Sequence, residues 1–318
     1  MNRPLRRIAT AALMACATAA QAWPDKPVKI LIGYAAGGST DVVGRLIAPK
    51  LSERLGQPVV IENKPGGAGD LAAELMMQAP ADGHTLLMTT VAVHAINPGL
   101  YKARKFHPVD DFTPVAMIGS YPMMLVGSPQ TSFRTPADIK ALAAKGPVFF
   151  ASSGIGSPGH LAGELLAKAL GANLTHVPYK GGSPSVVAVM AGEAQMSFAT
   201  LPAVVPQIRG GKVRGVAIAS KERNPAVPDS PTLIEQGLAD FDVGTWTGFV
   251  GPRGLPADVV QKMHAAVTAV LADPAIRQRL VGEGAEIRAM TPAEFGAFMR
   301  AENARWTKVV RDAGVQPQ

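Results

Sequence analysis

Two glycine-rich turns, each fed by an apolar strand-like run and each opening a helix-like run, lie about 115 positions apart in this chain. The first is Lys29-Ile30-Leu31-Ile32-Gly33-Tyr34-Ala35-Ala36-Gly37-Gly38-Ser39-Thr40-Asp41, followed by an amphipathic stretch from Val42 to Leu55. The second is Val148-Phe149-Phe150-Ala151-Ser152-Ser153-Gly154-Ile155-Gly156-Ser157-Pro158-Gly159-His160, followed by helical spacing from Leu161 to Leu170. Glycine lets the backbone turn tightly with its N–H groups uncovered. The helix behind it adds unpaired N–H groups and a positive dipole end. A strand–turn–helix of this kind is a ready anion site. Two of them predict a cleft that grips an acidic small molecule from both sides.

Strand-like and helix-like segments alternate along the rest of the chain, which predicts an α/β fold with largely parallel sheets. Thr135-Pro136-Ala137-Asp138 and Thr291-Pro292-Ala293-Glu294 each place a Thr cap before a first-turn Pro, with an acid close behind. The last helix is predicted over Pro292–Ala313, with Phe295, Phe298, Met299, Trp306 and Val309 as a core stripe. A short helix is predicted over Thr232–Gln236, and separate strands over Val115–Ile118 and Met123–Val126. Two extended stretches, Gly119–Ser128 and Val243–Pro252, are the candidate crossings between lobes. Two short crossings make a hinge, and the cleft beside a hinge is a common place for ligands.

The first 22 residues read as an export signal: Arg3, Arg6 and Arg7, then a short apolar stretch, then Ala20-Gln21-Ala22 as the cleavage signal. Cutting after Ala22 predicts Trp23 as the mature N-terminus. A weaker alternative is a lipid-anchored Cys16 in Leu13-Met14-Ala15-Cys16. Cys16 is the only cysteine, so the mature chain has no thiol or disulfide chemistry. Its net charge falls from +7 to +4 once three arginines are removed. There is no basic block, which argues against nucleic acid. The mild positive excess suits an acidic ligand without demanding one.

Each motif has competing readings. The first turn has no lysine where a P-loop needs one. Asp41 reads as a stabiliser of its helix start, or as a receiver for a ligand ammonium group. Gly154-x-Gly156-x-x-Gly159 spells a dinucleotide fingerprint, but Pro158 interrupts it and no acid follows about 20 residues on. Ser157 lacks the G-x-S-x-G elbow of a hydrolase. His84, His94, His107, His176 and His264 show no metal spacing, with His94 the one to watch near the cleft. His160 reads as a brace for its helix. Val177–Ser183 and Phe198–Pro202 are predicted to border the cleft, Tyr179 covering a ligand face, Lys180 offering counter-charge and Thr200 a hydroxyl.

The chain resembles the Bug family, the periplasmic solute-binding proteins of tripartite tricarboxylate transporters. The likeness runs through Trp23–Val28, Ala36–Asp41, Leu55–Gly67, Asp82–Leu87, Asn97–Tyr101, His160–Leu165, His176–Gly182 and Pro228–Thr232. The resemblance implies a two-lobed, type II periplasmic-binding fold that closes on one small molecule, often a carboxylate. It implies ligand contacts from Ala36, Gly37, Gly38, Ser39 and Thr40, and from Ser152, Ser153, Gly154, Gly156 and Ser157. Thr89, Thr90 and Thr200 would add side chains. Family members commonly carry Pro-Phe where this chain has Gly33-Tyr34, so the Tyr34 hydroxyl is expected to alter which ligand fits.

The expectation is therefore a monomeric, extracytoplasmic receptor of lobes 23–121 plus 246–318 and 122–245. It captures a small organic acid and passes it to the membrane permease subunits of such a transporter, with no cofactor, no metal, no nucleic acid and no catalysis. The ligand-facing set is Tyr34, Ala36–Asp41, Thr89, Thr90, Ser152–Gly154, Gly156, Ser157, Tyr179 and Thr200. The rivals are an esterase built on Ser157 and a receptor that signals to a sensor kinase.

Overall fold

A computed structural model describes residues 23–101 and 103–313. The predicted leader, its cleavage position and Cys16 lie outside the described residues. Runs of Val, Ile and Leu form β1 (Val28–Ile32), β2 (Val59–Asn63) and β3 (Thr85–Thr90), paired in parallel in the order β2-β1-β3. Parallel neighbours need a crossover, supplied by α1 (Ser39–Leu55) and α2 (Asp70–Met77). After β3 comes a π-helical turn, Ala92–Ile96, leading into the single-turn α3 (Asn97–Leu100). Pro98 and Gly99 give that segment no helical signal in the sequence.

The long strand β4 (Phe112–Gly127) follows, then α4 (Pro136–Ala143), whose Thr135 forms the capping box with Asp138 that its sequence predicts. The strand–turn–helix pattern then recurs. β5 (Val148–Ser152) pairs in parallel with β6 (Leu174–Pro178) and β7 (Met196–Thr200), linked through α5 (Pro158–Leu170) and α6 (Gly182–Ala191). Next are α7 (Leu201–Arg209), β8 (Arg214–Ala219) and β9 (Gly244–Pro252). The chain closes with α8 (Ala257–Leu271), α9 (Pro274–Gly282), β10 (Glu286–Ile287) and α10 (Pro292–Ala313).

β4 joins the two sheets. Its first part pairs antiparallel with β9, which also pairs with β3; its second part pairs with β7 and β8. The two strands predicted over Val115–Ile118 and Met123–Val126 are thus one, and the stretch read as extended from Gly119 lies within it as far as Gly127. Gly119 and Pro122 read as a break in the sequence. In the fold, a Cβ at Gly119 would lie 2.7 Å from the Glu286 carbonyl, so the glycine admits β10. Pro122 falls where β4 changes partners from β9 to β7 and β8, a place where a missing N–H costs least.

The helix predicted over Thr232–Gln236 is also corrected. Thr232 and Glu235 do form a capping-box exchange, Glu235 N–H to Thr232 Oγ1 at 2.9 Å and Thr232 N–H to Glu235 Oε2 at 2.7 Å. Gly237, at φ +91°, ends the turn before a second one can form. The predicted stripe on α10 does pack inward, with Phe295, Met299 and Trp306 buried. One apolar cluster runs from Leu87 through Met123 to Phe150 and Phe198, so the core is continuous where the sheets meet. Among the described residues no helix is long and apolar enough to cross a membrane.

Candidate functional site

The carboxyl ends of β1, β3, β5 and β7 all open toward one cavity at the junction of the sheets. This is the place where α/β folds hold ligands, because strand ends and helix starts meet there. About 50 Å³ of it is free to the centres of water-sized molecules. Of the sequence-predicted residues, Tyr34, Gly38, Ser39, Thr40, Thr90, Ser153 and Thr200 line it. None of its described lining residues is an Asp, Glu, Lys, Arg or His.

Three helices begin at this cavity without a side-chain cap. α1 starts after Gly38, α6 after Gly181 and α7 after Thr200, and none of these N-cap residues makes a side-chain cap bond. Their first-turn N–H groups, apart from the missing ones at Pro184 of α6 and Pro202 of α7, and their positive dipole ends are available to something outside the helix. The loops that carry them press together. Ala35 N–H donates to the Lys180 carbonyl at 3.2 Å, and a Cβ on Gly181 would lie 2.9 Å from Ala35 N. Only glycine tolerates that approach at φ +139°.

Tyr34 stands at the edge of the cavity. Its hydroxyl donates to the Ala68 carbonyl at 2.9 Å and lies 3.3 Å from Thr90 Oγ1. Burial, partly offset by the Thr90 bond, pushes its pKa up to about 12, so the phenol stays neutral. Gly33, just before it, is crowded by backbone: a Cβ there would lie 2.4 Å from Gly69 Cα.

The other predicted residues lie elsewhere. Ala36 and Gly37 are exposed and do not line this cavity, Gly37 instead approaching Ser183. Asp41 is buried and occupied by its own chain, accepting from Gly37 N–H at 2.9 Å, Arg45 Nε at 3.0 Å and Asn63 Nδ2 at 3.0 Å. Burial raises its pKa, but these donors together hold it below the ordinary carboxylate value. Thr89 is buried, and its hydroxyl meets His94 Nε2 at 2.7 Å. His94 is itself fully buried, bonded also to the Pro108 carbonyl, and burial pulls its pKa down to about 3.

The second glycine turn uses most of its polar groups internally. Ser152 is fully buried, 2.6 Å from His176 Nε2, and takes the Gly154 N–H at 3.1 Å. Ser157 is fully buried and caps α5, accepting the His160 N–H at 3.3 Å. Pro158 fills the first position of that helix and has no N–H to offer. Gly156 donates to His160 Nδ1 at 3.3 Å and packs against Asn97 and Leu100. His160 and His176 stack at 4.0 Å. His160 therefore braces its turn, as its position in the sequence suggests. Gly154 and Tyr179 line a neighbouring cavity rather than this one.

Several lining residues carry no signal in the sequence. Gly182, in the segment predicted to border the cleft, and Ser185, two residues beyond that segment, reach the main cavity, whereas Tyr179 does not. Thr245 and Thr247 come from β9 and Tyr121 from β4, and no motif marks them. Strand pairing alone brings them in, with Tyr121 opposite Thr245.

The chain is similar to known proteins along nearly its whole length. The family described as "Tripartite tricarboxylate transporter family receptor" matches residues 43–315. Protein BugT of Bordetella pertussis is 32% identical over 315 residues, covering 97% of this chain and 95% of its own length. A solved R. palustris protein with adipate superposes with a TM-score of 0.90 at 34% identity, covering 93% of this chain and all of that one. MatC from Rhodopseudomonas palustris with bound malate gives a TM-score of 0.86 at 34% identity over 91% of this chain and all of its own. The fold is the two-lobed α/β architecture of these periplasmic binding proteins.

Proposed function

The chain belongs to the tripartite tricarboxylate transporter receptor family, and from that premise we propose that it captures a small organic anion between its lobes and delivers it to the permease subunits of such a transporter. The observation that carries this reading is the meeting of three uncapped helix starts, α1, α6 and α7, at one cavity with no charged side chain in its described lining. A carboxylate supplies the acceptors these N–H groups lack, and charge-assisted bonds strengthen as closure removes water. The related structures holding adipate and malate support the same ligand class.

In this reading the lobes are residues 23–121 plus 246–318 and 122–245, with β4 and β9 as the strands between them. The protein works as a monomer in the periplasm after removal of residues 1–22 by cleavage behind Ala22. Ligand contacts come from Tyr34, Gly38, Ser39, Thr40, Thr90, Ser153 and Thr200, joined by Gly182 and Ser185. The work is binding without bond-making. The esterase alternative finds no support at Ser157, whose hydroxyl is fully buried and engaged as a helix cap.

A thermal-shift screen of small organic acids tests the proposal. A ligand at 100 times its dissociation constant adds about 2.7 kcal/mol of stability. Hits confined to carboxylates, bound stoichiometrically and recovered unchanged, are the expected result. Turnover of any hit, or stabilisation by cations or neutral sugars alone, would refute it.

A further inference from the structure

Glu302, on α10, is a buried carboxylate that takes donors from two tryptophans. Its Oε2 accepts the indole N–H of Trp246 at 3.1 Å and that of Trp306 at 3.0 Å. Its Oε1 accepts from the Arg305 guanidinium at 3.1 Å. Both indoles are almost fully buried, but only Trp246 is among the described residues lining the ligand cavity; Trp306 and Glu302 are not.

Trp246 sits where the two sheets join. It pairs with Ser120 in the β4–β9 ladder, shortly before Met123, where β4 takes β7 and β8 as partners. Its ring stacks on His94 at 5.8 Å and meets Phe295 and Phe298 edge-on, each at 5.6 Å. These rings set its tilt, while the bond to Glu302 fixes its rotation and its depth in the wall. The same helix holds the surroundings. Asn303 Nδ2 donates to the His94 carbonyl at 2.7 Å, and Arg305 donates to the Asp242 carbonyl at 3.2 Å, just ahead of β9.

We propose that Glu302 is a positioning residue for ligand capture, one that never touches the ligand and sets affinity by holding Trp246 in the cavity wall. This rests on the receptor reading above and adds to it a residue outside the cavity.

The donor set demands a carboxylate. An amide at this position has one acceptor oxygen and an NH2 group. With its oxygen toward the indoles, it points the NH2 at Arg305; with its oxygen toward Arg305, it points the NH2 at two N–H groups. A buried donor left without an acceptor is costly, so Trp246 shifts to find one. An apolar residue would avoid burying charge, which is often the more stable arrangement, but it would give Trp246 no fixed place. With about 50 Å³ free in the cavity, even a small shift of this wall changes what fits.

The test is calorimetric titration of the whole protein with a panel of small organic acids that includes adipate and malate. Alongside it, a Trp23→Phe, Trp306→Phe background leaves Trp246 as the single indole of the three in the chain, so its emission is read alone. Glu302→Gln should weaken the best-bound acid about tenfold, the order of one hydrogen bond to a charged group, and should shift the acid-free emission of Trp246. Trp306→Phe by itself should lower the melting temperature and leave affinity within about twofold. In a Trp246→Phe protein, Glu302→Gln should cause no further loss, because the ring it positions is gone. Full affinity in Glu302→Gln, or an equal loss from it in the Trp246→Phe protein, overturns the positioning role and leaves the receptor reading standing. If Glu302→Gln does not fold, Arg305→Gln at its exposed site releases the other carboxylate oxygen. Binding weaker by about threefold then supports the proposal, since an exposed ion pair contributes modestly, and unchanged binding overturns it. Binding of no acid in the panel by the unaltered protein overturns the receptor reading itself.

Discussion

The two glycine-rich turns look alike in the sequence and end up with different jobs. The first leaves α1 uncapped after Gly38, with Ser39 and Thr40 at the cavity. The second closes on itself: Ser157 caps α5, Pro158 removes the first N–H, and Ser152 and Gly156 bond to His176 and His160. Only Ser153 and Pro158 of that turn reach the main cavity. A strand–glycine–helix turn is therefore an anion site only when its orphan N–H groups have no internal acceptor. The partner facing the first turn across the cleft is instead the start of α6 at Gly182.

The largest test of this contrast copies the proline of the second turn into the helix starts of α1 and α6. Proline is well tolerated at a first helical position, and Gly38 and Gly181 have extended ψ values of 166° and 171° that accommodate it. Ser39→Pro with Gly182→Pro should cut carboxylate affinity by at least about 100-fold, since two charge-assisted hydrogen bonds are lost at roughly 1.5–3 kcal/mol each. The melting temperature without ligand should hardly move. Unchanged affinity in titration would break the contrast.

Acid should separate the two turns next. Burial, with the neighbouring His160, pulls the His176 pKa down from 6.5 to about 3. The neutral ring is thus favoured in the folded protein, and the stability it contributes is complete above pH 6.5 and lost as pH falls toward 3. Asp41 has a depressed carboxylate pKa, so its contribution is lost only at pH values below the ordinary carboxylate range. Between pH 6.5 and 4.5, amide protection factors, corrected for the intrinsic exchange rate at each pH, should therefore fall around residues 150–160 before residues 35–45. The fall is at most roughly tenfold per pH unit, and less here because His176 is partly exposed. Simultaneous loosening of both segments would contradict the assignment.

Smaller effects should divide along the same line. Ser157→Ala removes a cap and should cost about 1 kcal/mol in urea denaturation. It should leave ligand affinity within about twofold, the reverse of the proline pair. Smallest, Tyr101→Phe deletes the bond to Ile155 that spans the cleft. Affinity should fall about threefold, the effect of one neutral hydrogen bond, and calorimetry can resolve it.

Much of the architecture was legible because period and punctuation are local properties. The alternation of strand and helix, the Thr135 and Thr291 caps and the apolar stripe of α10 follow from neighbours within a few residues. The first turn was legible for the same reason. The errors came where a residue answers to something distant. Gly119 and Pro122 spell a break, yet one admits β10 and the other marks a change of strand partner. Asp41, Ser152 and Ser157 are polar and sit in the right motifs, but each has an acceptor or donor role inside the fold. Thr245, Thr247 and Tyr121 join the cavity through strand pairing that no short motif encodes.

The chain's own order of residues determined which segments become helix starts with bare N–H groups, since glycine, proline and capping residues act within one turn of backbone. Which of those starts face one another, and which are already satisfied, was decided by packing. Hydrogen-bond partners such as His176, Asn63 and Lys180 arrive from far along the chain, and a donor's availability depends on whether one of them got there first.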